Sequence, residues 1–263
     1  MPYAFADGVR IAYDDAGEGA GPALVFTTGW CSSRERWNRV ADVCARSRRV
    51  LNTEWRGHGS SDPAPADFGL EEMVADVLAV ADAAGVEQFI PCAASHSGFV
   101  AIELRRRHPE RVPRLVHVDW YVTPPPPPYR AALEQLTTDD WPAARDKLFE
   151  IWTSGSDMPE VVEAIEVMRR QSEEMWRRSG REIAAGYDRV GSPLQAWEKL
   201  DPPAPVLHIY GQPQDPVFLE RQQEFGAAHE WFAVRKMPGV THFAMIETPG
   251  DVARAIDAFV TEE

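Results

Sequence analysis

Short apolar and β-branched runs alternate with helix-length segments along most of this chain, and one proline-bounded stretch interrupts the alternation. Ala23-Leu24-Val25-Phe26, Val50-Leu51-Asn52-Thr53, Phe89-Ile90-Pro91-Cys92-Ala93, Leu115-Val116-His117-Val118, Val206-Leu207-His208-Ile209-Tyr210 and Phe232-Ala233-Val234 read as buried strands. Helical patterns fill the gaps at 34–46, 71–84, 98–107, 217–228 and 250–259; in the second, Met73, Val77, Val80 and Ala81 recur at the spacing of one helix face. Strands that alternate with helices are joined by crossovers, which implies an α/β class with a mostly parallel sheet flanked by helices. From about Thr123 to Leu200 the strands stop. Five successive prolines, Pro124 to Pro128, exclude helix and central strand and predict a stiff polyproline II connector. The segment after them looks wholly helical, with Trp141, Leu148, Ile151, Trp152, Ile165, Met168, Met175 and Trp176 as apolar markers, until Pro202-Pro203-Ala204-Pro205 closes it. The expected division is a core of 1–123 and 201–263 with a helical cap, 124–200, inserted between its halves.

Charge and composition remove several classes of function. Among 263 residues, 41 Asp and Glu outnumber 27 Lys and Arg, a net charge of −14 that repels a phosphate backbone, so no nucleic-acid partner is expected. The three cysteines, Cys31, Cys44 and Cys92, form no CxxC pair, so neither a disulfide framework nor a zinc knuckle is expected. No apolar run approaches the ~18 residues of a spanning helix, and the first residues show no export signal, which predicts a cytoplasmic protein with no membrane partner. Monomer and homodimer are both compatible with these features. There is no GxGxxG fingerprint, P-loop or HExxH, and no metal or cofactor site emerges.

The sharpest local signal joins a strand to a helix at Ala93-Ala94-Ser95-His96-Ser97-Gly98. A nucleophile elbow sets a residue on a strained strand-to-helix turn, with small residues two positions before and after it. Ser95 satisfies this; Ser97 would put Phe99 at a position that needs a small residue. Thr241-His242-Phe243 follows the last predicted strand, where the general-base histidine of an α/β-hydrolase fold belongs. Two carboxylates at strand ends, Asp119 and Asp215, are candidates to orient that imidazole, and the usual placement slightly favours Asp215. The backbone N–H groups of His96 and of Trp30, in Thr28-Gly29-Trp30-Cys31, are candidates for an oxyanion site. The loop Arg56-Gly57-His58-Gly59-Ser60-Ser61 reads as structural. Nine tryptophans, among them Trp30, Trp120, Trp152 and Trp176 near the site loops or in the cap, point to a pocket for a flat aromatic ligand.

Together these pieces resemble the cofactor-independent 3-hydroxy-4-oxoquinoline 2,4-dioxygenases of the α/β-hydrolase superfamily. The resemblance runs through Gly29-Trp30-Cys31, Trp55-Arg56-Gly57-His58-Gly59, Asp67-Phe68-Gly69, Ser95-His96, Asp119-Trp120, Ser179-Gly180-Arg181, Gly191-Ser192-Pro193-Leu194-Gln195 and Thr241-His242-Phe243. It implies an α/β-hydrolase fold with a helical cap and a His242–Asp119 dyad as general base, which overrides the preference for Asp215. It implies that the Ser95 hydroxyl binds substrate oxygen without being acylated. Trp30, His96 and Trp152 are implied to surround the substrate. Ser32 stands where a family member has a further histidine, and Ser97 where the family has a glycine.

By the same resemblance His242 removes the 3-hydroxyl proton, Asp119 stabilises the imidazolium, and the quinolone anion reacts directly with O2 without metal or flavin. A peroxide closes across C2 and C4, and CO leaves with an N-acylanthranilate. The partners implied are a small aromatic substrate, a 3-hydroxy-4-quinolone, and O2. A 2-alkyl ring such as the Pseudomonas quinolone signal is preferred to a 2-methyl ring, with Met158, Val161, Ile165, Met168 and Met175 as a possible channel for the chain, which would make the activity quorum quenching. The rival reading from the residues is a serine hydrolase with a Ser95-His242-Asp119 triad.

Overall fold

A computed structural model describes residues 1–261. Six strands coincide with the apolar runs: β3 (Ala23–Thr27), β4 (Val50–Thr53), β5 (Phe89–Ala94), β6 (Leu115–Val118), β7 (Val206–Tyr210) and β8 (Phe232–Lys236). Ahead of them, β1 (Tyr3–Ala6) and β2 (Val9–Ala16) form an antiparallel hairpin that the sequence reading leaves out. Its turn is Asp7-Gly8, both at positive φ, the backbone a two-residue hairpin turn requires. The sheet order is β1-β2-β4-β3-β5-β6-β7-β8. β2 meets β4 antiparallel, and every pair from β4 to β8 is parallel. All residues of β3 to β7 are buried, as continuous apolar strands must be when helices cover both faces.

The helices of the core are α1 (Asn38–Cys44), α2 (Leu70–Ala83) and α3 (Ser97–Arg107). A 3-10 turn, Arg34–Trp37, replaces the first part of the helix expected from residue 34. Between β6 and β7 come α4 (Pro127–Leu136), α5 (Trp141–Thr153), α6 (Pro159–Arg169), α7 (Glu173–Val190) and α8 (Pro193–Glu198). The chain ends through α9 (Pro216–Ala228), α10 (Ala244–Glu247) and α11 (Pro249–Thr261). The proline run corrects one expectation: Pro127 and Pro128 are the first two residues of α4, with Pro126 extended ahead of them. Proline lacks only an N–H that has no acceptor in the first turn, and its fixed φ suits that position.

Glycines permit two close approaches that shape the site. A Cβ on Gly98, in the first turn of α3, would collide with the Trp120 ring, and one on Gly180 would lie 2.7 Å from the Leu133 carbonyl where α7 crosses α4. No helix among the described residues is long and apolar enough to cross a membrane.

Candidate active site

The carboxyl ends of β3, β5, β6 and β8 meet beneath the α4–α8 segment, the edge where parallel α/β sheets bind ligands. Ser95 occupies the turn from β5 to α3 at φ 55°, in the left-handed region that a non-glycine residue rarely adopts. It does not cap the helix; its hydroxyl stands 3.2 Å from His242 Nε2 and 3.0 Å from His96 Nδ1. Ser97 instead faces inward and donates to the Ala94 carbonyl at 2.8 Å. Gly29 keeps the β3 loop close: a Cβ there would lie 3.2 Å from the Ser95 Cβ.

His242 is held from both sides. Its N–H donates to the Trp152 carbonyl at 2.8 Å, and its ring stacks on the Trp152 indole at 5.5 Å and 21°. Glu247 Oε2 fixes the loop before it by accepting from the Val240 and Thr241 N–H groups and the Thr241 hydroxyl. Burial, and then the Arg36 guanidinium, push the imidazole down to about 3, so it is neutral at ordinary pH. Arg36 is the sole lysine or arginine among the described residues lining the cavity; it lies 4.6 Å from the Phe243 ring centroid and donates to the Ala164 carbonyl of α6 at 3.4 Å.

Asp119 is buried at φ 51°, and its oxygens are taken by the backbone: Gly211 N–H at 2.8 Å and Ala244 N–H at 2.6 Å. Burial pushes its carboxyl up to about 7, against those N–H groups and that of Gln212, with Glu247 adding to the rise. Among the described residues no hydrogen bond or ion pair joins it to the His242 ring. Asp215 is exposed and caps α9 by accepting from the Val217 N–H at 3.0 Å, a helix-start role remote from the cavity.

One cavity is lined by Trp30, Ser95, His96, Asp119, Trp152 and His242, the six residues that the family resemblance implies for the site. Leu133, Leu136, Leu148, Met168, Trp176 and Ile183 supply its apolar wall from α4 to α7. The Trp30 ring stacks on Phe68 at 5.4 Å, and the next residue, Cys31, donates its N–H to His58 Nε2 at 3.0 Å. The Arg56 loop is thus structural: His58 pins this turn, and Arg56 clamps buried Asp76. Of the five channel residues expected, only Met168 reaches the cavity; Val161, Ile165 and Met175 point into the core, and Met158 packs against it. Val161, Ile165 and Met168 recur at helical spacing, which turns one face of α6 inward. Trp120 stands outside this cavity, against Phe99, His117 and Trp197.

Sequence reasoning misses Arg36 and Tyr129. Arg36 carries no local signal, because its place depends on contacts with residues more than a hundred positions away. Tyr129 follows the proline run directly, and its hydroxyl lies 2.5 Å from His96 Nε2. Among the described residues no cluster of three or more His, Cys, Asp or Glu is placed to hold a metal ion.

An eight-stranded sheet of this order, with a strained elbow serine and a histidine after the last strand, defines the α/β hydrolases, and a profile described as the alpha/beta hydrolase family matches residues 24–255. The relatives narrow this. A 2-heptyl-3-hydroxy-4-quinolone dioxygenase of Rhodococcus erythropolis is 36% identical over 97% of both chains. A 1H-3-hydroxy-4-oxoquinoline 2,4-dioxygenase of Pseudomonas putida is 32% identical over 97% of both. A solved structure of a variant dioxygenase (AqdC) that cleaves the Pseudomonas quinolone signal, in complex with its substrate, superposes with a TM-score of 0.94 at 32% identity over 99% of both chains. The chain belongs to the 3-hydroxy-4-quinolone dioxygenases of the alpha/beta hydrolase family.

Proposed function

We propose that this protein is a cofactor-independent dioxygenase that opens the ring of a 3-hydroxy-4(1H)-quinolone with O2, releasing CO and an N-acylanthranilate. The observation that carries this reading is a neutral imidazole, His242, stacked on Trp152 in a cavity walled largely by apolar and aromatic side chains. A neutral imidazole is the form that can take the 3-hydroxyl proton, and a dry cavity favours the resulting anion reacting with O2 over being reprotonated by water. Asp119, on the floor of the same cavity, stabilises the imidazolium through space. The Ser95 hydroxyl holds the substrate oxygen, and the Trp30 and His96 N–H groups face the developing negative charge. Trp152 and Trp30, which line the cavity, lie against the ring and exclude water.

The leucine, methionine and isoleucine wall supplied by α4 to α7 suits a 2-alkyl substituent, so the substrate is a 2-alkyl quinolone of the Pseudomonas quinolone signal type, and the activity quenches that signal. Residues 124–200 act as the cap that carries this wall, over a core of 1–123 and 201–263. The test is O2 uptake with CO trapped in parallel, using metal-free protein and 2-heptyl-3-hydroxy-4-quinolone or its 2-methyl analogue. Matched uptake and release, with higher kcat/KM for the heptyl ring, is the expected result. No uptake, with p-nitrophenol released from short esters and abolished in Ser95→Ala, would return the chain to the serine hydrolases.

A further inference from the structure

One arginine in the cavity wall lacks a counter-ion. Arg36 stands on the 3-10 turn Arg34–Trp37, in the same loop after β3 as Trp30. That turn is anchored on both flanks. Arg34 pairs with Asp14 at 2.8 Å and Glu54 at 2.9 Å, and the Trp37 indole donates to the Thr27 carbonyl at 3.1 Å. Between these anchors the Arg36 guanidinium lies over the Phe243 ring and reaches the Ala164 carbonyl at 3.4 Å, a long bond that uses one of its N–H donors. Among the described residues no carboxylate pairs with it. Buried arginines elsewhere are satisfied: Asp76 takes Arg56, and the carbonyls of Pro109, Val112, Pro202 and Pro203 take Arg105. The charged and titratable groups around Arg36 are Cys31 on its own loop, His242 and Asp119 in the cavity wall, and the exposed Glu35, Arg39, Glu160 and Glu163 along an outer groove against α6. Glu54 of the neighbouring β4 is held by Arg34, and Glu247 of α10 by the Val240 and Thr241 N–H groups.

A guanidinium set against apolar side chains without a counter-ion is costly unless a ligand brings one. We propose that Arg36 is the counter-ion of the substrate: its remaining N–H groups bind the ring anion that forms when His242 takes the 3-hydroxyl proton. The inference rests on the reaction proposed above. In that step the O–H bond breaks, its electron pair stays on the ring oxygen, and the proton moves to the imidazole, so a neutral pair becomes an anion and a cation. Arg36 repels the imidazolium, as the lowering of His242 shows, and attracts the anion. Acting on the base alone it opposes the transfer; in hydrogen-bonding contact with the ring oxygen it promotes it, because a charge-assisted bond outweighs repulsion at longer range. Both side chains bound the one cavity, so a ring seated there meets both. The 3- and 4-oxygens stand on adjacent ring carbons, a pair that a guanidinium fork grips with two N–H bonds. Asp119 and Arg36 then serve the two products of the transfer, the carboxylate facing the imidazolium and the guanidinium the ring anion.

The sign of one shift tests this. Without O2, the complex with 2-heptyl-3-hydroxy-4(1H)-quinolone is titrated with base while the long-wavelength absorbance of the ring anion is followed, for wild type, Arg36→Gln and Arg36→Lys. Arg36→Gln keeps a donor for the Ala164 carbonyl and loses the charge. It should raise the midpoint of anion formation by about one pH unit or more, and Arg36→Lys should recover most of that shift. Affinity for 2-heptyl-4(1H)-quinolone, which has no 3-hydroxyl and stays neutral, should be unchanged in Arg36→Gln. A midpoint that falls would overturn the proposal, because a cation that acts on His242 alone leaves a stronger base when it is removed. An unchanged midpoint would overturn it as well, and equal weakening towards both quinolones without recovery in Arg36→Lys would assign Arg36 to packing. If Arg36→Gln folds poorly, Arg36→Met must show the same rise. A wild type that consumes O2 beside an unshifted Arg36→Gln fails the counter-ion alone; a wild type inert to every 3-hydroxy-4-quinolone fails the reaction too.

Discussion

The sharpest consequence of the site concerns one proton on Asp119. Burial raises this carboxyl from its ordinary 3.8 to about 7, and the like charge of Glu247 adds to the rise, against the Gly211, Ala244 and Gln212 N–H groups that pull it down. In the free enzyme it is therefore charged above pH 7 and neutral below. If its charge is what stabilises the imidazolium, kcat/KM must rise with pH through about 7, since kcat/KM reports ionisations of the free enzyme. At pH 6 roughly one molecule in ten carries the carboxylate, so kcat/KM should be about tenfold lower than its plateau. A carboxyl at 3.8 would be fully ionised at both pH values and give no change. His242 adds nothing to this limb, because its own ionisation lies near 3. Nor does the substrate, whose phenol-like hydroxyl ionises near pH ~10. Once His242 is protonated, its charge draws the Asp119 value back down, so the limb in kcat should lie at lower pH than that in kcat/KM. The assay is initial O2 uptake at pH 5.5 to 8.5, with thermal melts at each pH, for wild type and Asp119→Asn. Asp119→Asn should be much slower and lack the limb. A flat wild-type profile between pH 6 and 8, or a limb that survives in Asp119→Asn, would refute the argument.

Three further outcomes can be checked. The ring nitrogen signals of His58, His208 and His242, pushed down to about 4, 4 and 3, should keep neutral-form NMR shifts to pH 5, and Arg36→Met should raise the His242 midpoint by removing the nearby cation. Gly98→Ala should destabilise the protein by about 1–3 kcal/mol, read as a lower melting temperature, because the new methyl overlaps the buried Trp120 ring. All three thiols are buried, and burial pushes each upward, Cys44 to about 12, so a thiol reagent should label none of them until the protein is denatured.

Much of this architecture is legible because parallel strands buried on both faces must be continuously apolar, and β3 to β7 are read from such runs. The hairpin of β1 and β2 escapes that rule: it lies at the sheet edge, where exposed and buried residues alternate, and only Asp7-Gly8 marks its turn. Ser95 and His242 are legible because an elbow and a post-strand histidine are local patterns. The choice between Asp119 and Asp215 is not local. It turns on what surrounds each carboxylate, and the partners of Asp119 lie 92 and 125 residues downstream whereas that of Asp215 is two residues away. Arg36 is invisible for the same reason: its contacts are with Ala164 and Phe243. The failed channel on α6 shows the converse hazard, since an apolar stripe at helical spacing serves packing as readily as binding.

The same three residue types make a serine hydrolase or a cofactor-free dioxygenase, and the wiring decides between them. A nucleophilic serine needs an imidazole whose Nδ1–H is held by a carboxylate, so that Nε2 is the correct tautomer and the imidazolium is stabilised as it forms. Here Asp119 is bonded to the backbone instead, without a hydrogen bond to the His242 ring among the described residues, and Ser95 Oγ is shared between His242 and His96. An imidazole with no carboxylate bonded to its ring and pushed down to about 3 is a weak base towards an aliphatic hydroxyl, whose pKa lies far above that of any side-chain acid. Towards a phenol-like hydroxyl near pH ~10 the mismatch is smaller by several units, and an aromatic anion delocalises the charge that an alkoxide must localise. The arrangement therefore favours taking a proton from a bound aromatic ring over taking one from Ser95. Moving Asp119 into bonding distance of the imidazole, rather than adding a stronger nucleophile, is the change that would bring esterase activity to this site.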